Sequence, residues 1–172
     1  MNTKPKVLIL DVDGVMTDGK FHYTTEGKIM KTFGADDNDA LTLIDPFLEV
    51  QFISGDKRGF SISKRRITQD MNRPLELVST IKRIDWIKER YNKEEVIYMG
   101  DGIFDHYVFS EVGYAIAPAN ADRFTRESAD YVTERTGGDR AVAEAVIHIL
   151  KTFFEPYDTT KLPKVKTRSN EK

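Results

Sequence analysis

Two short segments each bring a pair of aspartates out of an apolar run. In LILDVDGVMTDG (residues 8–19) the run ends in Asp11 and Asp13, and in VIYMGDGIFD (residues 96–105) it ends in Asp101 and Asp105. A third segment, EVQFISGD (residues 49–56), leaves its run through Ser54 and Gly55. Carboxylates gathered in one place repel unless a cation neutralises them, and hard oxygen donors suit Mg²⁺. Each acidic pair alone has a simpler account, because Asp-Gly steps at strand ends cap helices and shape turns. Two acidic pairs and a Ser-Gly, each closing a different strand, exceed what turn chemistry needs.

For those ends to meet, the strands must run the same way. Residues 6–10 read as a first buried strand, and residues 49–56, 75–78, 96–101 and 114–117 as further strands, with a short edge strand in DYVT. Helical patterns alternate with them at residues 36–44, 59–66, 81–91 and 139–154. In the third of these helices Ile81, Ile84 and Ile87 are expected on one side. Strands separated by helices imply an α/β domain with a mainly parallel sheet covered on both faces. Ligands of such sheets bind beyond the carboxyl ends of the strands. Residues 20–33 differ: two polar-apolar alternating arms around Glu26-Gly27 predict a hairpin flap directly after the first strand.

The whole reads as one domain over residues 1–155, followed by a polar, basic and mobile tail over 156–172. A net charge of −2 gives no case for nucleic acid or an anionic membrane as partner. No apolar run is long enough for a signal-peptide core or a membrane span. With no cysteine among 172 residues, disulfides, thiolate metal sites and cysteine nucleophiles are excluded, and a reducing cytoplasm is the expected location.

DVDGVMTDG, ISGD, a downstream lysine and GDGIFD together resemble the four motifs of the haloacid dehalogenase superfamily. The short hairpin and the closing GYAIAPANA…ADYVTERTGGDRAVAEAV resemble its small cap-less branch of sugar-acid phosphatases. The resemblance implies a Rossmann-like domain and a Mg²⁺-dependent phosphatase acting on a small phosphorylated metabolite. It implies Asp11 as nucleophile, forming an aspartyl-phosphate, and Asp13 as the general acid and then base. It implies a cation held by Asp11, the backbone carbonyl of Asp13 and Asp101, with Asp105 in support. Ser54, with Gly55, would bind the phosphoryl oxygens. The expected lysine is Lys82, with Lys57 and Lys64 as rivals.

The other polar and aromatic residues have ordinary readings: Trp86 as a packing residue, His106 as a structural or solvent-facing histidine, and SKRRI as a solvated helix face. Against the branch pattern, Ala35-Asp36-Asp37 stands for an Arg-Asp-Gly, Asp56 for the arginine after Ser-Gly, and Arg140 for a glycine. Those departures leave the chemistry intact and open the substrate's identity. They also keep a second reading in play, a catalytically weak member that serves in assembly. A receiver-like phosphoacceptor ranks below both, because Asp13, two residues past the acceptor, is what turnover needs. Apolar Phe21, Tyr23, Ile29 and Met30 on the hairpin, together with the resemblance, imply a homotetramer in which each hairpin helps cover a neighbour's site.

Overall fold

Val7–Asp11 (β1) is buried at every residue, as the run VLILD requires of a central strand. The computed structural model describes residues 3–162 and places β1 third in a six-stranded sheet of order β5-β4-β1-β6-β7-β8. Its partners are β4 (Glu49–Ser54) on one side and β6 (Val96–Met99) on the other. Beyond them lie β5 (Leu75–Leu77), β7 (Tyr114–Ala117) and the short β8 (Tyr131–Val132). Every pairing in this sheet is parallel. The hairpin forms a separate antiparallel ribbon of β2 (His22–Thr24) and β3 (Gly27–Met30).

Alternation along β1 sends Leu8 and Leu10 to one face and Val7 and Ile9 to the other. The first face is covered by α1 (Asp36–Ile44) and the closing helix α6 (Ala141–Phe153), which buries Val142, Ala145, Val146, Ile149 and Leu150. Ile67 joins the same core from the wide π-type turn (Arg65–Asp70) that extends α2 (Phe60–Lys64). The second face packs on α3 (Arg83–Arg90), α4 (Asp105–Phe109) and the segments flanking α5 (Arg123–Glu127). Asp11 has the parity of Val7 and Ile9, so its side chain is directed to the α3 side.

Two sequence expectations change here. A tight 3₁₀ turn (Thr80–Lys82) precedes α3 and resets the helical phase, since it advances about 120° per residue instead of 100°. The buried side of α3 is therefore Arg83, Trp86 and Ile87, while Ile81 is exposed and Ile84 half-buried. Arg140 adopts φ = +70°, a left-handed conformation that explains why the branch pattern has glycine at this position. Its guanidinium pairs with Asp36, the residue of that stretch that keeps the pattern's aspartate, so this departure is tied across the starts of α1 and α6.

The tail expectation falls largely on residues 163–172, which lie outside the described residues. Among the described residues, no helix is long and apolar enough to cross a membrane.

Candidate active site

The register sets the ends of three strands level. Asp11 pairs with Ile53, the residue before Ser54, and Leu10 pairs with Met99, two residues before Asp101. From β1 the chain winds outward through β4 and β5, then returns to β6 on the other side of β1. The crevice between β1 and β6 is thus the topological switch point where parallel sheets open to ligands.

The turn after β1 is tight for a visible reason. Gly14 has φ = +86°, and a Cβ there would lie 1.8 Å from Asp101 Oδ2. A Cβ on Gly137 would lie 1.9 Å from the Gly14 carbonyl oxygen, so the loop before α6 packs directly on this turn. Asn120 joins the two: its Nδ2 donates to Gly14 O at 3.0 Å, and its Oδ1 accepts from Gly137 N at 2.6 Å.

On the α3 side, Asp11, Asp101 and Asp105 each offer a carboxylate oxygen, all within 4.8 Å of one another. Burial, followed by the charges of Asp11 and Asp105, pushes the Asp101 carboxyl up to about 8, although Arg83 opposes the shift. Asp11 is pushed up to about 6, chiefly by burial and with Arg83 again opposing. Such crowding is what a divalent cation relieves, and an all-oxygen donor set fits Mg²⁺. Asp101 is the freer donor, since Asp11 accepts from Val12 N at 2.8 Å and lies 2.7 Å from Arg83 Nη2. Asp105 is already committed: its Oδ1 accepts from Arg83 Nη1 at 2.7 Å and Tyr98 Oη at 2.8 Å, and its Oδ2 from Gly102 N at 2.8 Å. The side chain of Asp13 is not in this group, which leaves its backbone carbonyl as the ligand implied by the family resemblance.

The cation in the site is Arg83, and this corrects the expectation for Lys82. Arg83 is buried; its Nη2 lies 2.7 Å from Asp11 Oδ2 while its Nη1 holds Asp105. Lys82 is exposed, 3.5 Å from Asp85, and Lys57 and Lys64 are exposed as well. The 3₁₀ turn explains the shift, because the residue that opens α3 on its buried side is 83. A signal was present in the sequence: Arg83 stands three and four residues before Trp86 and Ile87. Tyr98 was also missed, since a tyrosine within VIYM reads as core. Its hydroxyl is buried and its pKa raised, chiefly by burial, so it stays neutral and donates to Asp105.

Asp13 turns the other way. Its Oδ2 accepts from Ser54 Oγ at 3.1 Å, and its Oδ1 forms an ion pair with Lys31 Nζ at 2.7 Å. Ser54 is fully buried, and Gly55 beside it is exposed at the mouth. Lys31 comes from the hairpin of the same chain and was not anticipated. Trp86 is buried, donating to Glu76 at 2.9 Å, and His106 contacts the Ile103 carbonyl oxygen at 2.8 Å; both keep their ordinary readings.

A family model described as haloacid dehalogenase-like hydrolase matches residues 81–146. The 3-deoxy-D-manno-octulosonate 8-phosphate phosphatase of Haemophilus influenzae is 32% identical over 152 residues, 85% of this chain and 83% of that one. The chain therefore belongs to the haloacid dehalogenase-like hydrolases. The phosphatase of the same name from Escherichia coli K12 is 32% identical over 81% of this chain and 76% of its own. Solved structures agree. The cobalt-bound Haemophilus influenzae enzyme superposes with a TM-score of 0.76 at 30% identity, covering 86% of this chain and 88% of its own. The Moraxella catarrhalis phosphatase, in complex with magnesium, phosphate and KDO, gives 0.74 at 27% identity, with 86% of each chain covered.

Proposed function

We propose that the protein is a Mg²⁺-dependent phosphomonoesterase that acts on a phosphorylated sugar acid through an aspartyl-phosphate on Asp11. The observation that carries this reading is the opposed placement of two carboxylates two residues apart. Asp11 lies against the acidic cluster and Arg83, whereas Asp13 lies against a hydroxyl and an ammonium. That division supports Asp11 as the nucleophile and Asp13 as the proton carrier.

Bound Mg²⁺ supplies charge neutralisation for Asp11, Asp101 and the phosphoryl group. The protein's own groups do the rest. Arg83 fixes Asp11 and keeps its carboxylate directed into the crevice. Ser54 Oγ, now donating to Asp13, is within the same mouth and is suited to receive a phosphoryl oxygen. Asp13 gives its proton to the leaving oxygen and takes one from the attacking water in the second step.

The substrate class follows from relatives about one-third identical that are named octulosonate 8-phosphate phosphatases. Asp56 bears on the choice within that class, because it places a carboxylate where the branch pattern has arginine. The exposed Phe21, Tyr23, Ile29 and Met30 of the hairpin support a homotetramer, and the lack of cysteine fits a cytoplasmic location.

The test is a panel of phosphorylated sugars and sugar acids incubated with purified protein and Mg²⁺, with Asp11→Asn as the blank. Phosphate release from sugar-acid phosphates that vanishes in chelator and in the blank is expected. Release that persists in either would overturn the metal or the nucleophile. Light scattering on the same preparation should give a four-subunit mass; a monomer mass would refute the assembly.

A further inference from the structure

The hairpin has two edges of opposite character. Ile29 and Met30 face solvent, yet the lysines on either side of them are buried, with side-chain exposures of 3% for Lys28 and 0% for Lys31. A buried ammonium is costly unless paired and hydrogen-bonded. Lys31 Nζ is fully provided for: it lies 2.7 Å from Asp13 Oδ1, 2.8 Å from Asp56 Oδ2, and donates to Ser63 Oγ at 2.8 Å. Lys28 pairs with the same oxygen of Asp56, and its ammonium sits 3.2 Å from the centroid of the Phe21 ring.

Asp56 is the hub of this arrangement. Burial pushes its carboxyl up, but hydrogen bonds from Lys28, Lys31 and Gly59 N outweigh that and bring it down to about 2. Its backbone N–H donates to Ser54 Oγ at 3.2 Å, and Ser54 Oγ donates to Asp13 Oδ2 at 3.1 Å. The contacts form a closed ring, Asp13 to Lys31 to Asp56 to Ser54 and back. Asp13 is gripped on both oxygens, one from the hairpin and one from the end of β4.

We propose that Lys31 is a positioning residue for proton transfer, holding the carboxyl of Asp13 in line with the leaving oxygen from the hairpin of its own subunit. The hairpin is then part of the reaction as well as a surface for assembly. The assignment rests on the phosphatase reading above. In the first step Asp11 forms a bond to phosphorus, the bond from phosphorus to the leaving oxygen breaks, and that oxygen takes the proton of Asp13. In the second, water attacks phosphorus and passes a proton to Asp13 while the bond to Asp11 breaks, releasing phosphate. Only the first step depends on the leaving group, and kcat/KM reports that step.

The experiment compares two esters. p-Nitrophenolate leaves as a stable anion and needs little help from an acid, whereas a sugar alkoxide needs the proton. kcat/KM is measured for p-nitrophenyl phosphate and for the sugar phosphate turned over fastest in the panel, with wild type, Lys31→Gln, Lys31→Arg, Asp13→Asn and the Lys31→Gln/Asp13→Asn double variant. Circular dichroism checks each fold. A lost acid contributes roughly 10²–10⁴-fold, so Lys31→Gln should cost the sugar phosphate about 10²-fold and p-nitrophenyl phosphate less than about tenfold. In the Asp13→Asn background the Lys31 substitution should have almost no further effect on the sugar phosphate, as coupled residues require.

Lys31→Arg keeps the charge, and so serves where the glutamine variant does not fold. It should show the same selective loss at smaller size, because a planar guanidinium cannot gather partners around a single nitrogen as an ammonium does. Equal losses on both esters in the folded variants, or an undiminished Lys31 effect without Asp13, would overturn the assignment. A wild-type protein that hydrolyses neither ester would instead fail the phosphatase reading, and the assignment would fall with it.

Discussion

Two sides of one crevice handle charge differently. On the α3 side, Asp11, Asp101 and Asp105 face a single guanidinium, Arg83, which leaves two formal negative charges uncompensated. On the hairpin side, Asp13 and Asp56 face Lys28 and Lys31, and the charges balance. The unbalanced side is where a divalent cation is needed and where carboxyl pKa values are pushed up. The balanced side holds its acid by permanent side chains and has no use for an ion. Two aspartates separated by one residue thus enter different electrostatic surroundings, and the proposed division into nucleophile and proton carrier rests on that difference.

The comparison breaks most sharply at Arg83. Arg83→Met strips the α3 side of its only protein cation among the described contacts. In Mg²⁺-free buffer it should destabilise the fold by about 3–5 kcal/mol, the usual result of removing one partner of a buried pair. With Mg²⁺ it should lower kcat by roughly 10²-fold, as expected when a positioned charge is lost from a reacting phosphoryl group. Denaturant melts and steady-state rates check both. A stable, fully active variant would mean that the cation is dispensable.

A smaller effect follows from the raised carboxyls. The ordinary aspartate value is 3.8, whereas Asp11 stands at about 6 and Asp101 at about 8 in the folded, metal-free chain. Groups shifted upward bind protons more tightly when folded. Their contribution to stability is complete below the unfolded value and is lost as the pH rises through 6 and 8. Mg²⁺ competes for the same oxygens, so the rise in Tm on adding it should be small at pH 5 and grow toward pH 8. Thermal melts with and without Mg²⁺ across that range decide this. A Mg²⁺-induced rise that does not change with pH would separate the cation from these carboxylates.

The smallest effect is expected at Lys82. It lies on the surface beside Asp85, so Lys82→Ala should leave kcat/KM within about twofold of wild type. A loss as large as that of Arg83→Met would return the third motif to Lys82.

Spacing alone set much of this arrangement. An apolar run ending at Asp11, a second ending just before Gly100-Asp101 and a mostly apolar third ending at Ser54 determine parallel strands that deliver polar groups to one edge, because strand ends in such a sheet are level by register. The hairpin was legible from its period of two, and α6 from its apolar stripe. Local pattern could not tell Arg83 from Lys82, since neighbouring residues on a helix start differ by about 100° in direction, and only packing fixed which of them is buried. Nor could it reveal that Lys28 and Lys31 are buried, because a lysine in a hairpin is ordinarily solvated. Their burial depends on Asp56 and Asp13, 28 and 18 residues away in the chain. The sequence by itself determined that Asp11, Asp101 and Asp105 meet, and the tertiary structure turned Asp13 away from them. The tertiary structure decided which cation each one meets, because ion pairs between distant segments depend on how elements dock and leave no periodic trace in the chain.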